Sequence, residues 1–234
     1  MNRIIVITGG TSGLGYQLAK KFHSEGDFVV VVGRVLGDVE KTEEALGVDG
    51  LKADVTKDND WTRLHKYIME QYGKIDILIN NAGGGIVYKP FLEQTLEQIR
   101  STLELNLAGA ILGCKHFAPE MVKAGHGTII NIGAAGEEKD NPGLAVYLAS
   151  KAGLRSFSKA LYGELREKGV KVTTVLTGAM DTGFAASCGK EAHKEKIMKP
   201  EDAAEAIKAL CAIGKDVEIS ELVLSSDSLP FGTL

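Results

Sequence analysis

Tyr147 and Lys151 stand four residues apart in Tyr147-Leu148-Ala149-Ser150-Lys151, the spacing that puts two side chains on one face of a helix. An ammonium beside a phenol favours the phenolate. It draws the tyrosine down from about 10 towards the range where it exchanges a proton near neutral pH. The spacing alone decides nothing, because Tyr16 and Lys20 share it. Context separates the two pairs. Tyr16 falls in the amphipathic stretch behind a glycine-rich loop, whereas Tyr147 follows an apolar run ending at Ile132 and then a loop.

That glycine-rich loop is Thr8-Gly9-Gly10-Thr11-Ser12-Gly13-Leu14-Gly15. It follows an apolar run and opens a helical pattern, the context that a dinucleotide loop requires. Glycines in this place allow a tight turn and let backbone N–H groups approach a pyrophosphate at the positive end of the helix. The second run ends in Val32-Gly33-Arg34, where many dinucleotide folds carry an acid that holds the ribose 2′-hydroxyl. An acid repels a 2′-phosphate and an arginine pairs with it, so Arg34 favours NADP(H) over NAD(H). Thr11 and Ser12 add hydroxyl donors to the same phosphate. Asn80-Asn81-Ala82-Gly83 closes a further apolar run, at a carboxyl strand end where open α/β sheets bind ligands. Asn and Gly also make plain turns, so this motif gains its meaning from its company.

The elements that must position these residues are legible as short β-branched runs alternating with amphipathic ones. The strand candidates are Ile4–Ile7, Phe28–Val32, Leu51–Ala53, Ile75–Ile79, Thr128–Ile132, Val170–Leu176 and Ile219–Leu224. Their scant polar alternation fits parallel strands buried on both faces. Helices are expected over Leu14–Ser24, Trp61–Gln71, Leu96–Lys123 with an interruption near Pro119, Val146–Lys168 and Pro200–Ala212, the last opening with Pro at a helix start. The sum is a single-domain α/β Rossmann-type doubly wound parallel sheet of about seven strands with helices on both faces. The irregular stretch 178–199 reads as a mobile substrate loop.

Composition narrows the function classes. The chain of 234 residues is 44% apolar and 25% charged with net charge −4, which argues against a nucleic-acid or anionic-membrane binder. No apolar run approaches a membrane span. The three cysteines, Cys114, Cys188 and Cys211, fit a reducing compartment better than a disulfide scaffold, so a cytoplasmic protein is expected. The histidines form no metal-ligand spacing. Glycine is abundant, 28 residues against only 5 prolines, pointing to tight turns and close backbone approaches in a compact fold.

Taken together and in this order, the four motifs resemble the short-chain dehydrogenase/reductase family, over nearly the whole chain. The resemblance implies a hydride transfer between NADP(H) and a small carbonyl or alcohol substrate. Tyr147 would act as acid/base. Lys151 would lower its pKa and hold the nicotinamide ribose, and Asn106, in Leu105-Asn106-Leu107, would position a water that links Lys151 to solvent. It implies cofactor contacts from Gly9, Thr11, Ser12, Gly13, Leu14 and Gly15, from Arg34, and from Asp54 and Val55 beside the adenine. Further contacts fall to Asn81, Ala82 and Gly83, and to Gly178 and Thr182 in a segment similar to the family's Pro-Gly segment, with Thr177 in the proline slot. It also implies a homodimer or homotetramer paired through Leu96–Lys123 and Val146–Lys168.

One position departs from the family. Its catalytic serine normally lies thirteen residues before the tyrosine, and here Asn131-Ile132-Gly133-Ala134 puts Ala134 in that slot. Loss of such a hydroxyl resembles removal of an oxyanion donor, which costs about 10²–10³ in rate. The nearby Glu137, Glu138 and Asp140 cannot replace it, because an ionised carboxylate donates no hydrogen bond. Ala134 therefore motivates an alternative, a catalytically impaired NADP(H)-binding sensor or regulator on the same fold. An epimerase or dehydratase of the related larger enzymes is disfavoured by the glycine spacing and the short region after Thr182.

Overall fold

The structure is a computed structural model that describes residues 2–85, 88–136, 140–182, 197–214 and 216–226. Most of the stretch 178–199, together with Ile86, Glu137, Glu138, Cys188 and His193, lies outside the described residues.

Strands β1 (Ile4–Thr8), β2 (Phe28–Gly33), β3 (Asp49–Lys52), β4 (Ile77–Asn80), β5 (Gly127–Ala134), β6 (Val170–Thr177) and β7 (Glu221–Leu224) form one seven-stranded sheet in the order β3-β2-β1-β4-β5-β6-β7. Every pairing is parallel. Among the described residues the α-helices are α1 (Gly13–Ser24), α2 (Leu36–Leu46), α3 (Asp58–Tyr72), α4 (Leu96–Leu103), α5 (Gly109–Ala124), α6 (Ala145–Leu165) and α7 (Pro200–Leu210).

The β1 run is apolar at every position because both faces of the sheet are covered. Ile4 and Val6 point into a core with α3, α5 and α6 through Trp61, Leu64, Phe117, Met121 and Leu165. Ile5 and Ile7 point into a second core with α1 and α7 through Leu18, Phe22, Ala203 and Ile207. Strand alternation thus feeds two cores, not one core and solvent. The order reverses at β1, whose neighbours are β2 and β4. The carboxyl ends of β1 and β4 therefore flank the crevice in which such sheets bind ligands.

The expected strands are all present, with ends that differ by a few residues. Two helical expectations need correction. Helix α2 has no counterpart in the sequence reading, since only Val39 and Thr42 of it are buried and so short a buried stripe leaves little periodicity to read. The break expected near Pro119 is instead a π turn over Glu104–Ala108 between α4 and α5, and α5 runs through Pro119. The helix keeps its course there because Phe117, Ala118 and Met121 around the proline are buried against the sheet.

A polar ladder crosses one of these cores. Asn80 Nδ2 donates to Asn131 Oδ1 at 2.8 Å, Asn131 Nδ2 donates to Ser158 Oγ at 2.8 Å, and Ser158 Oγ donates to Leu154 O at 2.7 Å. Asn131 and Ser158 are fully or almost fully buried, so the two bonds of Asn131 fix β4, β5 and α6 relative to one another where water cannot substitute. Asn131→Ala leaves the amide of Asn80 and the hydroxyl of Ser158 without these partners. It is expected to lower the unfolding free energy by about 1–3 kcal/mol in urea denaturation, and an unchanged midpoint would show that the ladder holds nothing.

Candidate active site

The glycine loop is built by its neighbour strand. Asn81, just beyond β4, donates from Nδ2 to Thr8 O at 2.9 Å and to Gly9 O at 3.1 Å. Thr8 Oγ1 in return accepts from the backbone N–H groups of Asn81 and Ala82, both at 3.0 Å. The ends of β1 and β4 are thereby laced together at the crevice. Gly9 and Gly13 take the left-handed region at φ +65° and +51°. A Cβ on Gly15 would stand 2.1 Å from Gly9 O, so only glycine allows α1 to begin this close to the loop.

Helix α1 opens at Gly13 with Ser12 as N-cap, and the Ser12 side chain caps none of its N–H groups. The first N–H groups of a helix have no partner within it, and here they stand at the positive end of a helix dipole beside exposed Ser12 and half-buried Thr11. The chemistry of that cradle fits an anion such as a pyrophosphate. Two further expected residues come to it. A Cβ on Gly33, the last residue of β2, would stand 2.7 Å from Thr11 Cγ2, and a Cβ on Gly13 would stand 2.9 Å from Thr182 Cβ. Arg34 follows Gly33 and is exposed.

Beyond β3, Asp54 and Val55 are held by side chains that the sequence reading did not assign. Trp61 Nε1 donates to Val55 O at 2.8 Å, and Asp54 N donates to Asp60 Oδ2 at 2.8 Å. Asp54 Oδ1 accepts from both the N–H and the hydroxyl of Thr56. Trp61 packs in the core, 2% exposed, and also fixes this loop. Tyr16 and Lys20, the decoy pair, separate into a half-buried phenol and an exposed amine on α1.

The second pair is different. Lys151 on α6 is buried, and its Nζ donates to Ile132 O on β5 at 2.8 Å and stands 5.8 Å from the centroid of the Tyr147 ring. Burial pulls the Lys151 ammonium down to about 8 from its ordinary 10.5. Gly83 makes the room: a Cβ there would stand 3.4 Å from Lys151 Nζ and 3.0 Å from Asn106 Oδ1. The structure thus brings Gly83, Asn106 and Lys151 together beside Tyr147.

Asn106 rides on the π turn, whose wider winding departs from the regular helix at a functional edge, as such turns often do. Its Nδ2 donates to Gly84 O at 2.8 Å and Thr102 O at 3.0 Å, and its Oδ1 accepts from Gly84 N at 3.0 Å. The side-chain amide therefore pins the segment that follows β4. Ala134 and Thr177 end β5 and β6 at the same edge, and Gly178 N donates to Leu224 O at 2.7 Å. Among the described residues no cluster of His, Cys, Asp and Glu suits a metal.

Over residues 3–193 the sequence matches the model of the short chain dehydrogenases. The chain belongs to the short-chain dehydrogenase family. It is 30% identical over 226 residues to an uncharacterized oxidoreductase of Staphylococcus aureus, covering 95% of this chain and 96% of that one. Its fold is similar to that of an alcohol dehydrogenase from the archaeon Thermococcus sibiricus complexed with 5-hydroxy-NADP, with TM-score 0.89, 27% identity and coverage of 98% and 99%. It is equally similar to a 3-ketoacyl-(acyl-carrier-protein) reductase from Brucella melitensis complexed with NADH, with TM-score 0.89, 27% identity and coverage of 95% and 96%.

The protein is thus an oxidoreductase of this family, and its buried lysine makes a pH signature. Below about pH 8 both folded and unfolded chains carry the Lys151 charge, and the folded state bears the cost of burying it. Between about 8 and 10.5 the folded chain has lost that proton while the unfolded chain keeps it, so this contribution to stability rises with pH. The stability of the wild type relative to Lys151→Met is therefore expected to improve by up to about 3 kcal/mol between about pH 7 and about pH 10. Urea unfolding of both proteins at the two pH values measures it, and a constant difference would mean the ammonium is not depressed.

Proposed function

We propose that this short-chain dehydrogenase interconverts a carbonyl and an alcohol on a small molecule with NADP(H), using Tyr147 as the acid/base group. The observation that carries the proposal is the buried Lys151 ammonium beside the Tyr147 ring, at the same sheet edge as the glycine cradle. When bound, the nicotinamide supplies or takes the hydride at the substrate carbon. Tyr147 gives its phenolic proton to the substrate oxygen in reduction and takes it back in oxidation. The Lys151 charge stabilises the phenolate left behind and donates to the nicotinamide ribose. Asn106 holds the Gly84 segment against this group, and a water on the Asn106 side of Lys151 passes the proton to solvent.

The cradle of Gly9, Thr11, Ser12, Gly13, Leu14 and Gly15 takes the pyrophosphate, with Thr182 against Gly13 from the far side. Asp54 and Val55 border the adenine, Ala82 and Gly83 border its ribose, and Gly178 backs the nicotinamide. Asn81 contributes by shaping the loop, since its side-chain amide is engaged with Thr8 and Gly9. The relatives named above were captured with an NADP derivative in one case and NADH in the other. Arg34 decides between them in this chain. It stands exposed at the end of β2, where a cation pairs with a 2′-phosphate and an acid would reject it. The same reading has the protein act in the cytoplasm as a homodimer or homotetramer paired through α4, α5 and α6.

A panel of aldehydes and ketones followed at the nicotinamide absorbance tests the activity. Tyr147→Phe keeps the ring and loses the proton, so it is expected to lower kcat by at least about 10²-fold, within the range of general acid catalysis, with little change in NADPH affinity. Retained turnover would remove Tyr147 from the mechanism. Arg34→Asp is expected to reverse the NADPH/NADH preference in kcat/KM, and an unchanged ratio would sink the 2′-phosphate assignment. NADPH binding without turnover in both the wild type and Ala134→Ser would instead favour the sensor.

A further inference from the structure

With alanine at 134, the substrate oxygen of the carbonyl/alcohol reading has Tyr147 as a donor and lacks the hydroxyl of the family's serine, and a lone donor is a poor site for a developing oxyanion. The register of the sheet points to a replacement. Ala134 and Thr177, the last residues of β5 and β6, are paired in the parallel ladder. Paired residues in a sheet carry their side chains on the same face, one strand spacing or about 4.8 Å apart. Two residues back, the pair Ile132 and Val175 points into the core shared with α1 and α7, and by alternation Ala134 and Thr177 lie above that core, at the open edge. The hydroxyl missing at 134 is therefore present on the neighbouring strand, on the same face and at the same level.

The Thr177 hydroxyl also has the right orientation and freedom. Its Oγ1 turns towards β5, 3.4 Å from Gly133 O. That is long against about 2.7–2.8 Å for a good O–H···O bond, so little is lost when the hydroxyl turns to a stronger acceptor. Its backbone is firmly held, because Thr177 O accepts from Ala135 N at 3.0 Å and the next residue, Gly178, donates to Leu224 O at 2.7 Å. Thr177 is half-buried, so its hydroxyl is reachable yet partly screened from water.

Among the described residues, donors near this edge already have partners. The Ser150 hydroxyl donates to Tyr147 O at 2.5 Å, both amide hydrogens of Asn106 go to Gly84 O and Thr102 O, and Lys151 Nζ donates one N–H to Ile132 O, with its ribose contact proposed above. Asp140, a carboxylate, donates nothing when ionised. We propose that Thr177 is a catalytic residue whose hydroxyl gives the second hydrogen bond to the substrate carbonyl oxygen, doing from β6 what a serine at 134 would do from β5. This rests on the carbonyl/alcohol reading above. Thr177 keeps its own proton throughout: the proton that ends on the oxygen comes from Tyr147 and the hydride on the carbon comes from the cofactor.

The test measures carbonyl reduction and NADPH affinity in the wild type, Thr177→Val, Thr177→Ser, Ala134→Ser and the double variant Ala134→Ser/Thr177→Val. Valine matches threonine in shape and lacks the hydroxyl. Thr177→Val is expected to lower kcat by about 10-fold or more, towards the loss typical of a removed oxyanion donor, with NADPH affinity by fluorescence titration changed less than about twofold. Thr177→Ser is expected to keep most of the rate, and Ala134→Ser to restore it in the valine background. In the wild-type background Ala134→Ser should gain no more than a few-fold, because the position is already served. This last variant leaves β6 untouched, so the proposal remains open to refutation even if Thr177→Val fails to fold. Unchanged kcat in Thr177→Val, or a gain of about 10²-fold in Ala134→Ser alone, overturns the role of Thr177 and leaves the carbonyl/alcohol reading standing. Absence of turnover in both the wild type and Ala134→Ser overturns that reading and this proposal with it.

Discussion

A buried ammonium sets the terms for this structure. Lys151 sits almost wholly out of water, where its Nζ donates to the carbonyl Ile132 O. A charge in that position is costly, and burial shows its cost in the depressed Lys151 pKa of about 8. The surroundings are consistent with meeting that cost. Asn131, next to Ile132, is tied to Ser158 two turns further along the same helix, so α6 cannot slide on β5 without breaking buried polar contacts at both levels. A Cβ on Gly83 would press on Asn106 Oδ1 at 3.0 Å and touch Lys151 Nζ at 3.4 Å. The π turn carries Asn106 to the Gly84 backbone. The bare glycine and the π turn cost stability or regularity by themselves, and with the Asn131–Ser158 tie they hold one cation beside one phenol.

The opposite half of the edge is organised without charge. Thr8 and Asn81 exchange hydrogen bonds between the ends of β1 and β4, the two strands at which the strand order reverses. This lacing sets the height of the glycine loop, and close packing of Gly15 on Gly9 sets where α1 begins. The helix N-terminus then meets the crevice with its N–H groups pointing outward. The two halves share the segment after β4, since Asn81 holds the loop while Gly83 and Gly84 face Lys151 and Asn106.

Much of this was legible in the sequence because it depends on local rules. The parallel strands were visible as unbroken β-branched runs, and Tyr147 could be told from Tyr16 by which element preceded it. The glycine loop was visible from its place between a strand and a helix. What escaped was nonlocal or used side chains of ordinary meaning. Helix α2 buries too narrow a stripe to show a period. The π turn inserts no proline or glycine that announces it, whereas Pro119 announces a break that packing suppresses. Asn131 and Ser158 look like any polar residues in an apolar run, and only the register between β5 and α6 makes them partners. Asn81 reads as a ligand contact by motif, yet its side chain is spent on the loop backbone.

The register also changes what the alanine at 134 means. Read along the chain, a missing hydroxyl is a deletion, because sequence comparison aligns one position with one position. A parallel sheet has a second dimension. At its carboxyl edge the last residues of adjacent strands present side chains to the same space, so a donor can move sideways by one strand while the backbone stays where it was. Thr177 meets the geometric conditions for such a move: the same face, the same level, a rigid backbone and a weakly held hydroxyl directed towards β5. Replacement in the proline slot also removes a ring that carries no donor and puts a hydroxyl in its place. On the proposal for Thr177, the two departures that the family resemblance implies, alanine at 134 and threonine at 177, become one change seen on two strands. A fold whose chemistry sits on strand ends permits this because the sheet, and not the chain order, decides which residues meet.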